Sequence, residues 1–219
     1  MLSFQVLFSS ILDFLFPSPS PVLALEKMNP AEILEKAEIK THPKDEWITS
    51  LLDYRSEAGK ALIWEMKYRG NAKVMKILAE ILHPAILDEI WRRETFSGFK
   101  EPVFVPIPIS KERREERGWN QSELLGEALR KLDGGENFSF SPNLLVKIKN
   151  TESQTKAESR KARLRNLSGC FACPRPEAVR GKNIILLDDV VTTGATLSEA
   201  RKTLLSSGAR EVIAFTVAH

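Results

Sequence analysis

The sequence predicts an α/β fold: an open, mostly parallel sheet flanked by helices, with a small N-terminal helical extension. Asn183-Ile184-Ile185-Leu186-Leu187 is an unbroken apolar run, as expected of a central parallel strand covered on both faces. A Thr/Gly turn follows, then a helix with Leu197, Ala200, Leu204 and Leu205 on one face. Gly208 ends that helix, and Val212–Ala218 reads as the next strand. Strand, helix and strand make a βαβ unit, and the upstream segments alternate in the same way.

From the start of the chain, Phe4, Leu7, Phe8, Ile11, Leu12 and Leu15 suit one face of a short helix over residues 1–16. An export signal is the competing reading. Against it, no Lys or Arg precedes the apolar run, Asp13 interrupts it, and no A-x-A pattern follows Pro17-Ser18-Pro19. The run is also too short and broken to span a bilayer, so a cytoplasmic protein with no membrane span is expected. Pro17 to Pro21 is a break, and residues 22–56 are weakly patterned, with room for two short helices. Residues 1–56 therefore read as an extension and 57–219 as the main domain.

In that domain, Val74, Ile77, Leu78, Ile81 and Leu82 trace one face of a helix that should end near His83-Pro84. Val103 to Ile109 reads as a buried strand whose prolines stop it from pairing further. A helix after Gly118 carries Leu124, Leu125, Ala128, Leu129 and Leu132, and Asp133-Gly134-Gly135 ends it. Leu145 to Lys149 is a further strand. Asn150 to Asn166 is polar and basic, without apolar period.

Composition narrows the function classes. The 219 residues are 42% hydrophobic and 28% charged, which fits one ordinary domain with an appendage and excludes a disordered chain. Thirty-two Lys+Arg against twenty-nine Asp+Glu leave +3, far from a polybasic nucleic-acid binder. Two cysteines exclude a disulfide scaffold, and three scattered histidines exclude a His-rich metal site.

The chemistry sits in Asp188-Asp189-Val190-Val191-Thr192-Thr193-Gly194-Ala195-Thr196, at the carboxyl end of a strand and the start of a helix. Ligands bind at that place in open α/β sheets. Free backbone N–H groups and the positive helix end suit a phosphate, Gly194 admits close approach, and Thr192, Thr193 and Thr196 add hydroxyl donors. Two carboxylates beside a phosphate site make sense if the ligand offers hydroxyl donors one sugar-length away. A ribose 5-phosphate meets both demands, with its phosphate on Thr192–Thr196 and its hydroxyls on Asp188 and Asp189. A plain helix-capping turn would explain one threonine but not the acidic pair.

The run ILLDDVVTTGATLSEA resembles the phosphoribosyl pyrophosphate (PRPP) signature of type I phosphoribosyltransferases. Lys67-Tyr68-Arg69-Gly70, Val105-Pro106-Ile107-Pro108 and Arg113-Arg114-x-x-Arg117-Gly118-Trp119-Asn120-Gln121 are similar to ordered blocks of the ComF-type competence proteins. Ser159, Arg163, Asn166, Gly169 and Phe171 continue that pattern through a loop that closes over PRPP in the family. The resemblance covers residues 58–219. It implies a type I phosphoribosyltransferase-like sheet, PRPP as substrate, Mg²⁺ bound with it, and displacement of pyrophosphate at C1 by an acceptor that could be a nucleobase. Arg114 or Arg117 would stabilise the departing pyrophosphate, while no residue stands out as a catalytic base. Such proteins carry a four-cysteine zinc cluster after a Leu/Phe-rich first helix. Here Phe16-Pro17-Ser18-Pro19-Ser20-Pro21 stands in its place, so no zinc is expected.

The remaining signals have bland readings beside functional ones. Cys170-x-x-Cys173 lacks the second pair a zinc site needs, and a structural role outweighs a redox one. The Arg113/Arg114/Arg117 cluster is either an anion site or a solvated turn paired with Glu112, Glu115 and Glu116. Lys147 to Arg165 holds seven basic and two acidic residues, a net +5 suited to substrate closure or to nucleic acid. Of Trp64, Tyr68, Trp91 and Trp119, three are expected in the core, with Trp119 the exception. The alternative to a transferase is a non-catalytic nucleotide- or single-stranded-DNA-binding protein acting in DNA uptake; a homodimer is one possible assembly.

Overall fold

The structure, a computed structural model, describes residues 46–149 and 167–219, together with Glu32. The first helix expected over residues 1–16, the Pro/Ser break and most of the basic loop lie outside the described residues. The elements in chain order are β1 (Ile48–Leu52), α1 (Glu57–Tyr68), α2 (Ala72–Ser97), β2 (Val103–Pro106), α3 (Lys111–Arg117), α4 (Gln121–Asp133), β3 (Ser139–Phe140), β4 (Val146–Lys147), β5 (Phe171–Ala172), α5 (Pro176–Val179), β6 (Asn183–Val190), α6 (Ala195–Ser206) and β7 (Glu211–Ala218). Five strands form one parallel sheet in the order β1-β7-β6-β2-β3, and β4 pairs with β5 in a separate antiparallel ribbon. The fold is α/β with an open parallel sheet flanked by helices.

Strand periodicity divides the core in two. Ile185 and Leu187 of β6, Phe104 of β2 and Ile213 and Phe215 of β7 join one cluster with α1, α2 and α4. Their neighbours Ile184, Leu186, Val103, Val105, Val212 and Ala214 face the other way, onto Leu197, Ala200 and Leu204 of α6. Both faces of β6 are dry, which is why its sequence is a continuous apolar run rather than an alternating one. β2 ends at Pro106, three residues before the expected Ile109: Ile107 N–H still donates to Leu187 O at 2.9 Å, but β3 has already ended beside Phe104, where Ser141 N–H donates to Phe104 O. Pro106, lacking a donor, therefore sits where β2 has lost its outer neighbour.

Three expectations are corrected. Residues 48–52, read as part of the helical extension, are a parallel edge strand: Ile48 pairs with Ala214 and Leu52 with Ala218. Its five residues are mixed in character, and the neighbouring strand rather than its own pattern holds it. The helix expected to end near His83-Pro84 continues through Pro84 to Ser97, where Gly98 closes it in the left-handed region. An internal proline costs roughly 3 kcal/mol, but Ile86 and Ile90 beyond it are fully buried, and each burial returns about 1.5–3 kcal/mol. Tertiary packing wins. Finally, Tyr68 and Trp91 are 44% and 59% exposed and Trp64 is only half-buried, so the aromatics expected in the core are not core residues.

At the far end of α4, Asp133 is buried and accepts from Asn137 N at 3.0 Å and Asn137 Nδ2 at 2.8 Å, and lies 3.1 Å from His83 Nε2. Burial alone would raise its pKa; the donors from Asn137 and His83 outweigh burial and hold the carboxyl below its usual range. Its contribution is therefore present above the unfolded pKa of about 3.9 and lost as pH falls through the folded value. Asp133→Asn should cost about 1.5–3 kcal/mol at pH 7, with the difference from the parent shrinking below about pH 4. Urea melts at both pH values check this; an undiminished difference in acid would contradict it.

Candidate functional site

The carboxyl ends of β2 and β6 open onto one edge, where the start of α4 meets the end of β6. Gly194 adopts φ +75 there and precedes α6 without giving it a side-chain cap. The helices α1 to α4 are all capped, by Ser56, Asn71, Ser110 and Asn120. At α6 only Thr193 Oγ1 approaches, accepting from Ala195 N at 3.4 Å. The first turn of α6, with Thr196 beside it, thus offers backbone donors and a positive helix end to an anion. Thr192 is exposed and Thr193 and Thr196 half-buried.

Asp188 and Asp189 lie at the end of β6, and strand periodicity turns them to opposite faces. Asp189 continues the Ile185–Leu187 face, toward α1 and α4. Its Oδ2 accepts from Gln121 Nε2 at 2.9 Å and lies 3.3 Å from Lys67 Nζ, while Oδ1 accepts from Val190 N at 2.6 Å. Asp188 is less buried and more sparsely held: its Oδ1 accepts from Asp189 N at 2.9 Å and from Ser122 Oγ at 3.3 Å. Burial first, and the Asp189 carboxylate second, push the Asp188 carboxyl up to about 7; Lys67 and Ser122 act in the opposite direction. Lys147 of β4 lies within electrostatic reach of Asp188, Arg113 and Glu112, and burial lowers its own pKa.

The two arginines differ. Arg114 pairs with Glu123 of α4 and is exposed, rather than pairing with the glutamates of its own helix. Arg117 is half-buried, lies 5.4 Å from the centroid of Tyr68, and donates to Gln121 Oε1 at 3.4 Å. Gln121 therefore spans from Arg117 to Asp189. The same two segments meet again at Gly70, where an added Cβ would stand 3.0 Å from Trp119 Cε2. Lys67, Gln121 and Ser122 carry no role of their own in the sequence reading, although Lys67 and Gln121 sit in its Lys-Tyr-Arg-Gly and Gly-Trp-Asn-Gln blocks, and Lys147 enters it only as the start of the basic stretch.

Cys170 and Cys173 flank β5, and Cys170 is buried. Three residues of extended chain separate their Cα atoms by roughly 10 Å, beyond the ~7 Å limit of a disulfide. Burial also pushes the Cys170 thiol up, away from thiolate chemistry. The structural reading of this pair stands.

The phosphoribosyl transferase domain family matches residues 124–219. Competence protein ComFC of Bacillus subtilis is 38% identical over 162 residues, covering 72% of this chain and 58% of that protein. DNA utilization protein YhgH of Salmonella typhimurium is 30% identical over 166 residues, covering 75% of this chain and 68% of its own length. The chain belongs to the ComF-type, phosphoribosyltransferase-like family. Its match spans 58% of ComFC, so it corresponds to only part of that relative. Solved structures similar to this ComF-type chain include the glutamine PRPP amidotransferase of B. subtilis complexed with ADP and GMP, at 16% identity and TM-score 0.39, covering 70% of this chain and 30% of that one. A hypoxanthine phosphoribosyltransferase of Staphylococcus aureus follows at 10% identity and TM-score 0.39, covering 67% and 63%. Among the described residues, no helix is long and apolar enough to cross a membrane.

The Gly70–Trp119 contact generates a direct test. Gly70 has φ +57, where an L side chain costs about 1–2 kcal/mol, and its Cβ would press on the indole. Gly134, at φ +69 with nothing within 4 Å, meets only the first penalty. Gly70→Ala should therefore lower stability more than Gly134→Ala; equal denaturation midpoints for the two would remove the contact from the account.

Proposed function

We propose that this ComF-type chain binds PRPP and transfers its 5-phosphoribosyl group to a nitrogen acceptor, releasing pyrophosphate. The observation that carries this reading is the pairing of an uncapped helix start at Gly194–Thr196 with two adjacent carboxylates at the end of β6. The 5-phosphate sits against Thr192, Thr193, Gly194, Ala195 and Thr196, where donors and the helix end stabilise it. Asp188 and Asp189 accept from the ribose hydroxyls, and the carboxylates offset positive charge as the C1–oxygen bond breaks. Arg117, on the same edge, meets the departing pyrophosphate with a planar fork, and Arg114 joins it by exchanging Glu123 for the ligand.

Mg²⁺ enters with the substrate. Among the described residues, no group of three or more His, Cys, Asp or Glu side chains could hold a metal ion. The donor set that fits is thus oxygen from the pyrophosphate and ribose, with Asp188 and Asp189 as the protein's nearest acceptors. Mg²⁺ supplies charge neutralisation of the leaving group. A nucleobase or nucleotide acceptor and a cytoplasmic setting belong to the same proposal, and the relatives' names, competence and DNA utilization, support a link to DNA. They also support a second reading, in which the same site binds a nucleotide or single-stranded DNA without transfer. His83 faces Asp133 rather than the ligand edge.

PRPP with Mg²⁺ should raise the melting temperature, by about 2.7 kcal/mol of stabilisation at a hundredfold excess over Kd. No shift at millimolar PRPP would remove the PRPP reading. Asp188→Asn with Asp189→Asn should weaken PRPP by roughly 1.5–3 kcal/mol per lost charged hydrogen bond and leave inorganic phosphate binding intact. Calorimetric titration of both ligands decides this, and unchanged PRPP binding would refute the ribose assignment.

Arg117→Lys keeps the charge and loses the fork. It should weaken PRPP at least about tenfold, or 1.4 kcal/mol, while ribose 5-phosphate binds as before. Equal losses for the two ligands would sink the pyrophosphate role. PRPP turnover with nucleobases, followed by pyrophosphate release, separates transfer from binding alone.

A further inference from the structure

We propose that the groove between α2 and α4 is a docking surface for this chain's own N-terminal segment, residues 1–16, which seats there through its apolar face. The inference is independent of the PRPP reading, because the groove shares no residue with the acidic pair or the Thr/Gly turn.

The groove has a volume of about 450 Å³. Small or adaptable apolar residues line it, with Ala72, Met75 and Ala79 on the α2 side and Leu124 and Ala128 on the α4 side. Leu124, Ala128 and Leu132 follow one another at i, i+4 and i+8 along α4. They form a second apolar stripe beside the core stripe of Leu125 and Leu129, and Leu132 is left 45% exposed. The charged lining residues are paired with neighbours or stand in water: Lys76 lies 3.7 Å from Glu80, Glu127 pairs with Arg130, and Lys131 is exposed. A small-molecule site needs a few converging polar groups. A lining without them suits the apolar face of a helix laid between two others.

The sequence supplies the occupant. Phe4, Leu7, Phe8, Ile11, Leu12 and Leu15 fall on one face at helical spacing, with Ser9, Ser10 and Asp13 on the other. Each such apolar side chain gains about 1.5–3 kcal/mol when buried. Bulky residues on the segment would meet small ones in the groove, the complementarity that close packing demands. Residues 22–45 are weakly patterned and 150–166 are polar and basic, so neither offers a comparable face. The tether permits the contact: residues 17–45 can reach up to roughly 100 Å when extended, against a diameter of about 40 Å for a domain of this size. A tethered segment acts at an effective concentration of about a millimolar, well above that of a second copy in dilute solution. The chain's own segment is therefore the favoured occupant.

The test is the maleimide reactivity of a cysteine at the groove's edge, Leu132→Cys, in the whole chain carrying Cys173→Ser. Cys170 is buried and reports folding in the same sample. Labelling at position 132 should be at least about tenfold slower than in the same chain carrying Leu7→Asp and Ile11→Asp, the protection that 1.4 kcal/mol of docking gives. The rate should not depend on protein concentration. Equal rates would overturn the proposal, and protection that grows with concentration would assign the groove to a second copy instead. Labelling of Cys170 would show that the aspartate variant has unfolded, so a second route avoids it. There Leu132→Cys is combined with one further cysteine, replacing Phe8 or Leu12 on the apolar face, or Ser9 or Ser10 opposite. Mild oxidation should close an intramolecular disulfide at least about fivefold faster from the better apolar position than from either serine, since closure needs Cα atoms within about 7 Å. Equal closure from both faces, or disulfides between chains, would refute the docking.

Discussion

Two adjacent carboxylates at the end of a buried strand impose more on this molecule than any other local feature. A β-strand turns successive side chains to opposite faces, so Asp188 and Asp189 cannot share one solution to their burial. Asp189 enters the side built by α1 and α4, where Lys67, Gln121 and the Val190 N–H satisfy it. Asp188 stays nearer the surface with the Asp189 N–H and the Ser122 hydroxyl. The consequence reaches into the architecture: the last turn of α1 and the first turn of α4 must both converge on the end of β6. Both helices pack on the same sheet face through fully buried residues such as Leu62, Met66, Leu125 and Leu129. Core packing and site assembly are therefore one requirement.

The convergence is reinforced by contacts that contribute little singly. Tyr68 lies under Arg117, Trp119 lies against Gly70, and Gln121 links Arg117 to Asp189. An exposed cation–π pair contributes about 0.5–1 kcal/mol and a neutral hydrogen bond about 0.5–1.5. Together they restrict the 117–121 turn relative to residues 67–70, so an arginine on that turn and the acids of β6 keep a defined relation before any ligand arrives. Preorganisation of this kind lowers the ordering cost of binding. Glu123, by contrast, competes for Arg114 at an exposed position, where ion pairs contribute about 0–1 kcal/mol and yield readily to a better anion.

What the sequence reveals follows the same division. β6, the Thr/Gly turn, α6 and β7 were legible because both faces of a central strand must be apolar and an amphipathic helix must alternate against it. Asp188 and Asp189 were legible because acids have no packing reason to follow such a run. β1 was not, since the hydrogen bonds from Ala214 and His219 to Trp47 and Leu52, supplied by a strand far along the chain, define it. The passage of α2 through Pro84 was hidden because local propensity argues for a stop and only burial of Ile86 and Ile90 argues against it. Lys67 and Gln121 were visible as members of motifs without a role, because their role is a distance to Asp189 across the fold.

That distance also divides the site by origin. The phosphoribosyl transferase domain match begins at residue 124 and contains Asp188 through Thr196, the parts assigned to a ribose 5-phosphate in the proposed function. Lys67, Tyr68, Arg117, Gln121 and Ser122 all precede it. The general half of the site is thus a strand end and a turn, whereas the groups that set its charge and orientation come from the upstream helices. Lys67 supplies the cation beside Asp189, Gln121 and Ser122 direct the two acids, and Tyr68 lies against Arg117. A change in the upstream segment can therefore alter how strongly the pair accepts hydrogen bonds without touching the recognisable signature. In the proposed function the signature supplies a place for a phosphate and two hydroxyls; the upstream segment supplies the cation and the amide that contact its acids.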